Sequence, residues 1–270
     1  MLFDTHCHLQ DDAFSREVDA VVRRAEAAGV GRMLVCGYDR DANTEALRLA
    51  GRWASVVPAV GYHPHEADTV TAAMLDELAA QAALPVVAAV GEIGLDFYRD
   101  HSSHEGQRRI LDAQLEIAID AGKPVSLHTR SAEEAVYSHL AAYAVRSALS
   151  AEGRPVGVMH CFGGTLEQAL RYVELGFLIS LTCTMTYPRN EEARRLASEL
   201  PLGSLVLETD SPYLPPQHLR GRRNEPANLP AAAAAVAAAR RITAAEVAAA
   251  TTANACRVFA VAVPELAAAR

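Results

Sequence analysis

The chain has 270 residues, half of them hydrophobic, with a formal charge of −8 at pH 7; these values suit a globular protein with one large core and exclude a disordered one. No apolar run reaches the ~20 residues of a membrane span, Asp4, His6 and His8 interrupt the start as a signal peptide, and the acidic excess argues against a generic nucleic-acid coat. Five scattered cysteines without a C-x-x-C pair point to reduced thiols, not a disulfide framework or thiolate zinc site, so a cytoplasmic protein is expected.

Short β-branched or apolar runs alternate with helical patterns along the whole chain. Strands are expected at Leu2–His6, Met33–Gly37, Val56–Gly61, Val86–Glu92, Val125–His128, Val156–His160, Phe177–Leu181 and Leu205–Asp210. Between them apolar residues recur at helical spacing, as at Val18, Val21, Val22 and Ala25, and glycine marks helix ends at Ala28-Gly29, Ala121-Gly122 and Leu175-Gly176. Eight strands alternating with helices suggest a single α/β domain over residues 1–270, a (β/α)8 barrel. An open doubly wound sheet is the alternative, but no G-x-G-x-x-G follows a strand. The run Ala231–Ala239 is read as a plain outer helix, and the residues after Pro264 as a frayed terminal one.

Polar residues gather at the expected strand ends: His6, His8, His63, His65, Glu92, His128, His160 and Asp210. On a (β/α)8 barrel those ends form the face that carries active sites. Side chains alternate along a strand, so His6 and His8 share one face while Cys7 points to the other. Two imidazoles so placed can hold one ion, although a bare H-x-H is weak evidence for it. Each further candidate has an ordinary reading of its own. Glu92 could cap a helix, His128 and His160 could be hydrogen-bonded core histidines, and Asp210 has Glu208 two residues before it on the same face. Taken together, the carboxylates need a cation nearby to stay ionised. The ligands suffice for two divalent ions bridged by a carboxylate. Lys123, the only lysine, precedes the fifth strand and lies on the wrong side to serve as a carboxylated bridge, which leaves Glu92 best placed.

Beyond the spacing, the residues Asp4-Thr5-His6-Cys7-His8, Gly61-Tyr62-His63-Pro64-His65, Gly91-Glu92-Ile93-Gly94-Leu95-Asp96, His128-Thr129-Arg130, His160-Cys161-Phe162 and Glu208-Thr209-Asp210-Ser211-Pro212-Tyr213 resemble the TatD family of metal-dependent deoxyribonucleases. Arg222-Arg223-Asn224-Glu225-Pro226 and Thr251-Thr252-x-Asn254-x-x-Arg257-x-Phe259 carry the resemblance almost to the end of the chain. It implies an amidohydrolase-like (β/α)8 barrel. It also implies that His6, His8, Glu92 and Asp210 bind one metal, and Glu92, His128 and His160 a second. Activity as a DNase follows from the likeness, with 3′-exonuclease action on single-stranded DNA, two Mg²⁺ or Mn²⁺ ions, or zinc in their place. Some relatives remove D-amino acids from tRNA, so a D-aminoacyl-tRNA deacylase is an alternative. The barrel and metals equally suit a hydrolase of small cyclic amides or esters. Two departures from the family pattern, Gly163-Gly164 after Phe162 and Leu181-Thr-Cys-Thr-Met-Thr186, fall where substrate fit would be affected and remove no ligand.

The expected chemistry is in-line hydrolysis of a phosphodiester by metal-activated water, Asp210 taking the proton. His63 and His65 are candidates to donate to phosphate oxygens, or to form hydrogen bonds beside the ligands. Arg130 is a candidate bidentate clamp. Arg222, with Arg223, is a candidate basic cluster, or a solvated pair salt-bridged to Glu225. Tyr98 could stack on a base or simply pack. No membrane partner is expected, and a monomer is.

Overall fold

The structure, a computed structural model, describes residues 1–262. In it β1 (Leu2–Cys7), β2 (Val30–Cys36), β3 (Val56–Val60), β4 (Ala89–Asp96), β5 (Val125–Arg130), β6 (Gly157–Met159), β7 (Phe177–Leu181) and β8 (Leu205–Leu207) pair in chain order, each parallel to the next. Around them run α1 (Val18–Ala27), α2 (Arg40–Ala50), α3 (Ala72–Ala82), α4 (His104–Ala121), α5 (Glu133–Arg146), α6 (Ala148–Ala151), α7 (Leu166–Glu174), α8 (Glu191–Glu199), α9 (Leu229–Arg240) and α10 (Ala244–Phe259). This is the expected (β/α)8 barrel, and the rise of every parallel strand in one direction puts all eight C-terminal ends on one face.

Helix starts follow from side-chain caps. Asp39, Thr71, Ser103 and Thr165 each accept from a backbone N–H of the helix they precede, and Thr243 and Glu246 form a reciprocal capping box. The glycines that end helices, Gly29, Gly122 and Gly176, have φ of 85°, 63° and 91°, a region open to glycine at no steric cost. The alanine run is α9, with Ala232, Ala233, Val236 and Ala237 buried.

One apolar cluster joins the strands to the surrounding helices. A second consists of alternating strand residues, among them Phe3, Leu34, Val57, Val158, Leu178 and Val206, packed on the end of α10. Phe259 lies 5.8 Å from Phe3 between ring centroids, and Asn254 donates to the carbonyls of Leu202 and Leu205. α10 therefore closes the N-terminal end of the barrel, away from the polar strand ends.

Closure between β8 and β1 uses few backbone bonds. Cys7 bridges to Ser211, His8 N donates to Ser211 O at 2.8 Å, and Asp210 N donates to His6 O at 2.9 Å. The buried Asp4 carboxylate completes the seam, accepting from Thr209 N at 2.9 Å and Thr209 Oγ1 at 2.6 Å. Burial pushes Asp4 up to about 8, against the lowering effect of those Thr209 donors.

Several strand boundaries differ from expectation, β2 starting three residues earlier and β5 ending two later, and two of the differences bear on the site. β4 starts later and runs four residues past Glu92, to Asp96, because Ile93 and Leu95 are fully buried and Gly94 lets the chain pass close to β5. β8 ends at Leu207, so Asp210 stands in a loop with φ 55° rather than on the strand. The segment after Pro264 lies outside the described residues. No helix among the described residues is long and apolar enough to cross a membrane.

Candidate metal centre

The six expected ligands come together, four histidines around the Glu92 carboxylate and Asp210 beside two of them. Glu92 is 4 % exposed; its Oε2 lies 3.3 Å from His6 Nε2 and 3.6 Å from His8 Nε2. Its other oxygen, Oε1, lies 3.0 Å from His128 Nδ1 and 3.7 Å from His160 Nε2. Asp210 Oδ1 approaches His8 Nε2 at 3.7 Å and His160 Nε2 at 3.8 Å. Burial alone would push the Glu92 carboxyl up, yet the facing imidazoles of His6, His63 and His128 hold it well below the usual carboxylate range. Asp210 is likewise lowered against its burial, chiefly by His160 and His8.

The hydrogen bonds on the far side of each ring fix which nitrogen points inward. His8 Nδ1 faces Cys36 O at 3.1 Å; a carbonyl only accepts, so Nδ1 carries the proton and Nε2 offers a lone pair. His6 Nδ1 lies 3.2 Å from Ser126 Oγ, leaving its Nε2 3.2 Å from that of His8. Ligand atoms held ~2.0–2.1 Å from one ion in tetrahedral directions stand about 3.3 Å apart. The His6, His8 and Glu92 Oε2 atoms, at 3.2–3.6 Å from one another, fit that spacing. His128 presents Nδ1 to Glu92 because its Nε2 is 3.0 Å from Asp96 Oδ2. His160 presents Nε2 because Nδ1 lies 2.7 Å from Glu208 Oε1, a close contact without good hydrogen-bond alignment. With Glu208 at Nδ1 and both Asp210 and Glu92 near Nε2, His160 is raised to about 10 although burial opposes it, so an ion taken up at Nε2 would displace a proton.

His63 behaves differently. Its Nε2 is 3.7 Å from Glu92 Oε1, within reach of the cluster, but its Nδ1 accepts from His65 N at 3.2 Å. Burial lowers it to about 3, so the ring is neutral and turns an Nε2–H toward the cluster. It is placed as a donor. His65 is turned aside, with Nε2 3.1 Å from Asp96 Oδ2. Arg130 lies over Tyr98 at 4.0 Å from the ring, and Tyr98 is 62 % exposed. The two neighbouring arginines separate: Arg223 is tied to Glu17 at 2.9 Å and to Ala13 O at 2.6 Å, whereas the Arg222 side chain makes no hydrogen bond or ion pair among the described residues. Lys123 donates to Val87 O, ahead of β4, at the opposite end of the barrel.

Three residues matter more than their spacing suggests. Asp96, 1 % exposed, accepts from the N–H groups of Tyr98 and Arg99 and is held low against its burial by His128. It stands four residues after Glu92 on β4, a period-two signal that was there to be read. Glu208 does not crowd Asp210 directly. The His160 ring lies between them, and Glu208 Oε1 also accepts from Cys161 N at 2.7 Å. Ser126, partner of His6, fits where it does because Gly91 has no side chain; a Cβ there would stand 2.6 Å from that of Ser126.

Comparison with known proteins shows the family to which the chain belongs. The sequence pattern of the family described as "TatD related DNase" matches residues 3–260. The chain is 36 % identical to the 3′-5′ ssDNA/RNA exonuclease TatD of Escherichia coli K12 over 266 residues, covering 97 % of this chain and all of that one. It is 33 % identical over 261 residues to the uncharacterized metal-dependent hydrolase YabD of Bacillus subtilis, across 96 % and 99 % of the two chains. The crystal structure of YjjV, a TatD homolog from Escherichia coli K12, superposes with a TM-score of 0.89 at 35 % identity, over 97 % and 98 % of the chains.

Proposed function

Because the chain belongs to the TatD-related DNase family and is a metal-dependent hydrolase of ester bonds, we propose that it removes nucleotides from the 3′ end of single-stranded DNA at a centre of two divalent ions, Mg²⁺ or Mn²⁺, or Zn²⁺ in their place. The observation that carries this reading is the Glu92 carboxylate, which offers Oε2 to His6 and His8 and Oε1 to His128 and His160. One ion would be held by His6, His8, Glu92 and Asp210, the other by Glu92, His128 and His160. Such ions lower the pKa of water and draw negative charge from the phosphoryl group.

The remaining work falls to the chain itself. Asp210 turns Oδ1 to His8 and His160, which leaves Oδ2 to take the proton of the attacking water. His63 Nε2–H donates to a phosphoryl oxygen. Arg130, free of any carboxylate partner among the described residues and resting on exposed Tyr98, clamps the phosphate or supports a base. Arg222 offers a solvent-facing cation to the strand.

The test uses single-stranded DNA labelled at either end, with and without EDTA, on the natural protein and Glu92→Ala. The expected result is a ladder that shortens from the 3′ end, lost with EDTA and lost in the variant together with its bound metal. Full turnover by a metal-free Glu92→Ala protein would overturn the mechanism; 5′ or internal cutting would overturn the polarity.

A further inference from the structure

A cleft of about 640 Å³ opens between the turn that follows β7 and the loop that follows Asp210, and no step proposed above uses it. Thr184, Tyr187, Arg189, Asn190, Gln217 and Arg220 line it. A smaller recess of about 130 Å³ shares Thr184 and Asn190 with the cleft and reaches back to Cys161, the residue next to His160. The two depressions are neighbours on either side of Thr184 and Asn190, one beside the metal cluster and one farther from it.

The walls are built before any ligand arrives. From α8, Arg194 donates to Tyr187 O at 2.7 Å and Pro188 O at 2.8 Å. Tyr187 OH donates to Pro215 O at 2.8 Å, and Gln217 N donates to Thr186 Oγ1 at 2.8 Å, so the two loops are fastened to each other. Arg220 lies 5.3 Å from the centre of the Tyr187 ring. Neither Arg189 nor Arg220 has an ion pair or side-chain hydrogen bond among the described residues, whereas Arg24, Arg40, Arg48 and Arg171 each meet a carboxylate. In a chain where Asp and Glu outnumber Lys and Arg by 33 to 25, two unpaired guanidinium groups beside an aromatic face make a local site for a polyanion with stackable groups.

We propose that this cleft binds the single strand on the 5′ side of the scissile linkage, Arg189 and Arg220 meeting backbone phosphates and Tyr187 stacking on a base. The inference rests on the exonuclease reading and extends it. An enzyme that works from the 3′ end has one nucleotide beyond the cleaved bond, and the rest of the strand must leave the centre by a path of its own. The neighbouring depressions at Cys161 and at Arg220 lie in line for one.

The test compares the metal-loaded natural protein with the double variant Arg189→Ala/Arg220→Ala and its Lys counterpart. Binding is read by fluorescence anisotropy of a hydrolysis-resistant phosphorothioate oligothymidylate of about 12 nucleotides, a length within ordinary single-strand site sizes. Turnover is read on a small chromogenic phosphodiester too short to reach the cleft. The Ala variant should bind the strand about tenfold more weakly, with a salt slope shallower by about 1.4, for two lost phosphate contacts on a single strand. Its turnover of the small diester should stay within about twofold, and the Lys variant should recover most of the slope. Unchanged affinity and slope would overturn the inference and leave the exonuclease reading standing. An equal loss on the small diester would overturn it by showing a merely structural role. A natural protein that neither binds this strand nor shortens its ordinary phosphodiester counterpart would overturn both.

Discussion

Asp96→Asn tests how the second half of the proposed two-ion centre would be held. The substitution keeps the side chain's volume and an oxygen for the N–H groups of Tyr98 and Arg99. It replaces the carboxylate oxygen 3.0 Å from His128 Nε2 with a neutral amide. A hydrogen bond to a charged group is worth ~1.5–3 kcal/mol, and losing the carboxylate behind a metal-binding histidine typically costs ~10–100-fold in affinity, or about 1.4–2.7 kcal/mol. The two ranges agree, and the loss should fall on one ion only. The group formed by His6, His8, Glu92 and Asp210 makes no contact with Asp96, so calorimetric titration should show one unchanged site and one weakened by that factor. Activity should return at high metal concentration, and a circular-dichroism melt should confirm that the fold is intact. Two sites with affinities unchanged within about twofold would refute the orienting role given to Asp96.

Gly94→Ala should be more severe. At φ 147° a side chain is strained, which costs ~1–3 kcal/mol, and its Cβ would stand 1.9 Å from His128 O, a backbone atom that cannot move without parting β4 from β5. A drop of more than about 3 kcal/mol in urea unfolding is expected, with weaker metal uptake; near-natural values for both would contradict the close approach. Thr209→Val removes the hydroxyl that donates to buried Asp4 at 2.6 Å and should cost about 1–3 kcal/mol by the same measurement. A neutral result would mean the seam does not depend on that bond.

The barrel was legible in the sequence because its signals are local and repeated. Alternating apolar runs and helical periods marked all eight strands, and Gly29, Gly122 and Gly176 marked helix ends. At β4 the expected strand stopped at Glu92, whereas the observed one runs on through Gly94 to Asp96. Inside a strand, glycine marks a close approach, here to Ser126 and His128. The polar residues that gather at the mouth could be picked from their places after strands, but the partners that select a ring nitrogen could not. Glu208 and Asp4 lie in strand-like contexts where any buried carboxylate reads as a charge to be explained; only the folded distances assign them to His160 and Thr209. Arg222 and Arg223 are adjacent in sequence, and their fates diverge because Glu17, some two hundred residues earlier, meets one and not the other.

The seam between β8 and β1 imposes an order on the making of the protein. His6 and His8 are synthesised about two hundred residues before Asp210, and until the loop at Thr209–Ser211 pairs with β1 the proposed set of His6, His8, Glu92 and Asp210 lacks its last member. On the proposed ligand set, an ion would grip the first strand and the loop after the last at once, like a clasp on a hoop. Its binding energy adds to the stability of the closed ring as a whole, growing with the logarithm of free metal concentration. Unwinding β1 from the rest would require the ion to leave first. A chelator should thus speed opening at this join before it loosens any other part of the barrel.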